Sequence, residues 1–172
     1  MKAEQIKKNF PIFKKKINGN PLVYLDSANS SQKPKTVIDR MSYFYENEFS
    51  NVGRSVHSLA VTATNRFEET RDIVQKFINA KHREEIIFTK GATEGINLVA
   101  NSYGEKFINE GDEIILTELE HHSNYVPWHY LRNKKKAVIK FAKVNENLEI
   151  KVDEIKKLIS NKTKMIAITH IS

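Results

Sequence analysis

The sequence predicts an α/β fold, a mostly parallel sheet with flanking helices. Two features predict it. From residue 85 onward, short apolar runs of strand length alternate with longer segments of helical period. That alternation is the pattern of right-handed βαβ units. The balance of 40% hydrophobic and 28% charged residues is that of a globular chain and excludes a disordered one.

The elements follow in order. Residues 1–20 read as a short amphipathic helix and then a polar turn, Asn18-Gly19-Asn20-Pro21. Residues 22–25 (LVYL) form a strand-like run that stops at Asp26, and SANSSQKPK is a polar loop. Residues 36–48 read as a helix, because Val37, Met41, Phe44 and Tyr45 recur at helical spacing. A loop carrying Gly53 follows. A long helix then runs over residues 58–79, with Ala60, Ala63, Phe67, Val74, Phe77 and Ile78 as its apolar face.

Ile86-Ile87-Phe88 reads as a buried strand. The turn KGATEG leads into a helix, INLVANSYGEKFI. Residues 113–117 are the next strand, and a loop with two histidines leads to a helix near Pro127, which suits a first helical position. Residues 137–142 form a third strand, 151–160 a charged helix and 165–169 (MIAIT) a fourth strand. In parallel sheets ligands sit beyond the carboxyl ends of the strands. The segments that can carry chemistry are therefore 90–95, 118–124, 143–147 and 170–172.

Composition narrows the function. The chain has no cysteine, which excludes a disulfide scaffold, a cysteine-based zinc site and a thiol nucleophile from these residues. Its formal net charge is +7, from 28 Lys+Arg against 21 Asp+Glu. The lysines are scattered, however, and no recognition motif accompanies them, so a solvated surface is expected rather than a nucleic-acid stripe. No apolar run approaches the roughly 20 residues of a membrane span. The N-terminus lacks the apolar core of a secretory signal. A cytoplasmic protein without membrane attachment is expected.

Two motifs stand out. In Thr89-Lys90-Gly91-Ala92-Thr93-Glu94-Gly95 a glycine turn opens a helix, whose unpaired N–H groups and partial positive charge hold anions. It suits one phosphate monoester, and it is neither GxxxxGK[ST] nor GxGxxG. A plain N-cap by Thr93 fits the same spacing. In Glu118-Leu119-Glu120-His121-His122-Ser123-Asn124, adjacent histidines point different ways and make a poor metal pair. One imidazole can instead stack on a flat ligand or move a proton. Exposed loop histidines fit the same residues.

Taken together, YLDSANSSQKP, GRSVHSLA, FTKGATEGINLVANS, ELEHHSNYVPW and AITHIS resemble the Suf-type cysteine desulfurases and selenocysteine lyases in order and wording. These are class V, fold-type I pyridoxal phosphate enzymes. The resemblance implies the N-terminal part of the large domain of such a transferase, with residues 1–21 an N-terminal helical segment and 22–172 the partial class V domain. It implies that Ala92 and Thr93 bind the phosphate of pyridoxal 5′-phosphate, and that His121 stacks on its ring and assists proton transfer. Ala28 and His57 fall on the substrate side, and Asn124 is a supporting loop residue. Asn29 and Gly53 depart from the family, which often reads Ala and His there.

The resemblance also implies L-cysteine as substrate, a homodimer and Suf sulfur-acceptor proteins. The reaction would move sulfur from cysteine to an enzyme persulfide and leave alanine, for iron–sulfur cluster assembly. The family's Schiff-base lysine and nucleophilic cysteine belong to regions beyond AITHIS. The expectation is a fragment that is inactive alone. A non-catalytic, partner-binding relative and a selenocysteine lyase remain alternatives.

Overall fold

The computed structural model describes residues 3–172. The chain divides into two compact units, Met1–Ile86 and Ile87–Ser172.

The first unit is helical. Helix α1 (Ala3–Lys7) buries no side chain, and a 3-10 turn (Pro11–Lys14) follows it. Strands β1 (Lys16–Ile17) and β2 (Asn20–Pro21) pair antiparallel. Asn18 and Gly19 between them take φ of 50° and 79°, which is the paired left-handed conformation that Asn-Gly favours in a tight hairpin. Residues 22–25 are not a strand. Among the described residues their backbone joins no ladder and makes one bond, Leu22 N–H to Lys15 O, and Leu25 is 92% exposed.

Helix α2 (Lys35–Asn47) ends against Glu48, which is buried and takes an ion pair from Arg40 at 2.5 Å. Helix α3 (Ser58–Phe77) buries Ala60 and Ala63. Its C-terminal apolar residues depart from the expected face, since Phe77 and Ile78 are exposed. Ile86-Ile87-Phe88 also forms no ladder among the described residues. Ile86 is extended and buried, and its carbonyl is taken by the Arg71 guanidinium.

The second unit is the α/β part. Three strands, β3 (Glu113–Thr117), β4 (Val138–Ala142) and β5 (Thr163–Ile166), pair parallel in the order β4-β3-β5. β5 starts two residues earlier than the apolar run alone predicts. Its first rung pairs Thr163 with Glu113, and the register shifts before Ile114 meets Met165.

Helix α4 (Ala92–Val99) continues through a π turn (Ala100–Gly104) into α5 (Glu105–Phe107). Helices α6 (Val126–Lys135) and α7 (Val152–Leu158) complete the unit. Central β3 is buried along its whole length, as its unbroken apolar run requires when both faces are covered. Ile114 and Leu116 join Ile108, Trp128 and Leu131 in one core, while Ile115 points to the other face and is equally buried. Each such side chain contributes about 1.5–3 kcal/mol. Gly104 lies where a Cβ would sit 2.5 Å from a Leu131 methyl, so close approach rather than backbone freedom sets its identity.

At the amino end of β3, Glu113 fastens the three strands. Its carboxylate pairs with Lys140 of β4 at 2.7 Å and accepts from Ser160 Oγ at 2.7 Å and Thr163 Oγ1 at 3.1 Å. The Lys140 bond and then the Ser160 bond hold this carboxyl below the usual carboxylate range.

Candidate functional site

The carboxyl end of the sheet gathers the groups with free bonding capacity. Helix α4 opens at Gly91 in extended conformation, with Ala92 its first residue. Its first intrahelical bond is Gly95 N–H to Gly91 O at 3.1 Å. The N–H groups of Ala92 and Thr93 therefore have no intrahelical acceptor. Glu94 turns its carboxylate back to Lys90 N–H at 2.5 Å, and Thr89 Oγ1 donates to Gly91 O at 3.1 Å. These bonds fix the turn.

Thr93 is the second helical residue, not the N-cap, so the plain-cap alternative does not hold. Its hydroxyl is exposed and has no partner among the described residues. Two backbone donors, one free hydroxyl and the positive end of a helix fit a single phosphate monoester.

Helix α4 packs against the 3-10 turn His122–Asn124, so this open helix end and His121 belong to one compact region. His121 caps that turn. Its Nδ1 accepts from Ser123 N–H at 3.2 Å and lies 2.9 Å from Ser123 Oγ. With Nδ1 so engaged, the neutral ring carries its proton on Nε2. The ring is exposed, so its face and Nε2–H are open to a flat ligand. The His122 ring is turned 79° from it at 6.0 Å, as side chains at adjacent positions are.

Two carboxylates missed by sequence reasoning anchor this loop. Glu118 Oε2 accepts from Val144 N–H, after β4, at 2.9 Å. Glu120 accepts from Thr169 N–H, after β5, at 3.0 Å, from Thr117 Oγ1 at 2.6 Å and from Asn124 Nδ2 at 2.7 Å. Asn124 Oδ1 in turn accepts from the indole N–H of buried Trp128 at 3.0 Å. The signal was the spacing of four residues from Glu120 to Asn124 and from Asn124 to Trp128, along which the two bonds run.

A cavity of about 400 Å³ opens beside Thr117, Leu119, Val152 and Thr169. None of Ala92, Thr93 and His121 lines it. Among the described residues no group of three or more His, Cys, Asp or Glu is placed to hold a metal ion, and no helix is long and apolar enough to cross a membrane.

The other two predicted site residues lie in the first unit. Ala28 is exposed in a turn over residues 27–29, closed by Ser30 N–H to Asp26 O at 3.1 Å. His57 caps α3, its Nδ1 accepting from Ala60 N–H at 3.3 Å. Gly53 has φ of 130°, where any side chain is strained.

The family profile described as Aminotransferase class-V matches residues 23–172. A probable cysteine desulfurase of Staphylococcus aureus is 48% identical over 170 residues, covering 99% of this chain and 41% of the relative. The chain thus spans about two fifths of the length of the curated relatives it matches. Among solved structures, an apo cysteine desulfurase from Thermococcus onnurineus superposes with a TM-score of 0.87 at 35% identity, over 100% of this chain and 41% of that one. The S-sulfonic acid form of a cysteine desulfurase from Escherichia coli superposes with a TM-score of 0.76 at 32% identity, over 96% and 40%.

Proposed function

The chain belongs to the aminotransferase class-V family, and we propose that it is the phosphate-holding and ring-facing part of a pyridoxal 5′-phosphate-dependent cysteine desulfurase. The observation that carries this reading is the open N-terminus of α4, with the free Thr93 hydroxyl, on a helix that packs against the turn that His121 caps. Further support comes from relatives named cysteine desulfurase over 99% of the chain.

Pyridoxal 5′-phosphate, when bound, supplies an electron sink for bond breaking at the α-carbon of an amino acid. The chain's own residues do the rest. Ala92 and Thr93 N–H and Thr93 Oγ hold the phosphate. The His121 ring stacks on the cofactor's flat face, and its Nε2 holds or passes a proton. Ala28 and His57 serve the substrate side, where L-cysteine gives up sulfur and becomes alanine. Residues 1–21 precede the class V domain, a boundary supported by the profile match beginning at 23. The whole enzyme works as a cytoplasmic homodimer that passes sulfur to Suf-type acceptors for iron–sulfur clusters.

These 172 residues contain no cysteine, so the thiol that receives sulfur is not among them. By themselves they bind the cofactor without covalent attachment and do not turn over cysteine. The experiment is to incubate the purified chain with pyridoxal 5′-phosphate and L-cysteine. Reversible cofactor binding without release of alanine or sulfide is expected. Release of alanine contradicts the assignment of inactivity, and absence of any binding contradicts the phosphate site.

A further inference from the structure

The Glu120 carboxylate does more than fill space at the end of β3. It collects donors from three separate places: the last residue of β3 through Thr117 Oγ1, the His121 turn through Asn124 Nδ2, and the segment after β5 through Thr169 N–H. Asn124 passes the connection to Trp128, which is 2% exposed in the core. His121 lies inside this loop, between Glu120 and Asn124, and its own ring bonds only to Ser123 among the described residues. A ring that must lie flat on a ligand needs a backbone that does not drift, and nothing on the ring itself supplies that.

We propose that Glu120 and Asn124 form a polar latch that positions His121, by tying its turn to the core at Trp128 and to the strand exit at Thr169. Glu120 is a positioning residue in this account, not a catalytic one. The inference rests on reading His121 as the ring-facing residue. The latch itself is tested without ligand, so the two fail separately.

The directionality of the bonds gives the test. Glu120 only accepts, and the Asn124 amide donates to it while its oxygen accepts from the Trp128 indole. In Glu120→Gln an amide NH₂ meets the Asn124 NH₂, and one donor loses its acceptor. In Asn124→Asp two carboxylates face each other. The double exchange E120Q/N124D removes both conflicts. The new amide donates to the new carboxylate, its oxygen still accepts from Thr117 and Thr169, and the Trp128 N–H keeps an acceptor.

The measurement is NMR on the ligand-free chain, following Thr169 amide exchange, the Trp128 indole N–H and the His121 ring signals. Each single variant is expected to speed Thr169 exchange about tenfold, the scale of one lost bond to a charged group. Each should also shift the indole signal and broaden the His121 ring. The double variant is expected to return all three to near their original values. Singles that fail to fold while the double folds give the same support. Singles without effect on Thr169 and Trp128 overturn the latch, as does a double variant no better than the singles. A His121 ring that stays unchanged while the other two respond overturns its role in positioning.

Discussion

The two ends of strand β3 carry the same kind of residue and use it differently. At the amino end Glu113 is bound by Lys140 of β4 and by two hydroxyls, Ser160 before β5 and Thr163 at its start. All of its partners belong to the sheet or its approach, and the result is a closed fastening. At the carboxyl end Glu118 and Glu120 are bound by backbone and amide N–H groups of the loops that leave the sheet. Beside them lie an open helix end and an exposed imidazole, so here the carboxylates hold loops in place around capacity left unused. The amino end fastens strands to one another, and the carboxyl end is where we propose binding. Strand direction decides which is which, since parallel strands bring all their following loops to one side.

The largest effect comes from the core both ends share. Leu131 is fully buried and packs with Ile114 and Leu116 of β3. Leu131→Ala is expected to cost about 2–5 kcal/mol in urea unfolding and to abolish both fastening and binding. A variant that lost only one of them would break the idea that a single core supports both ends.

Glu113→Gln separates the ends. The folded carboxyl is held low by Lys140 and Ser160, so its contribution is present above the usual carboxylate range and disappears as pH falls through the lowered folded value. The variant should lose stability at neutral pH and show a flatter acid limb in thermal melts, while anion affinity at the other end stays unchanged. Thr93→Ala is the converse and the smallest change in stability. Its hydroxyl bonds to nothing in the described residues, so the melting temperature should not move, while affinity for a phosphate monoester falls about tenfold.

Much of this was legible from residue order alone. The run EIILT was readable as a strand, and it is the central one and buried throughout. The KGATEG turn had to open a helix, and it does, although two positions earlier than a threonine cap predicts. Segments 22–25 and 86–88 misled because an apolar run signals a strand only when a partner lies beside it. Their backbones bond elsewhere or not at all in a ladder. Glu118, and the link from Glu120 to Thr169, were unreadable for a related reason. Their partners are backbone N–H groups at Val144 and Thr169, 26 and 49 residues away, and a backbone group leaves no mark in composition.

The measurement that bears most directly on the carboxyl-end site is an NMR titration of the chain with pyridoxal 5′-phosphate and, separately, inorganic phosphate. The amides of Ala92 and Thr93 are predicted to shift saturably with both ligands, the His121 ring to shift with pyridoxal 5′-phosphate alone, and Thr93→Ala to weaken both responses. Saturable shifts confined to the lysine-rich surface at 134–136, with Ala92 and Thr93 unmoved, would contradict the account.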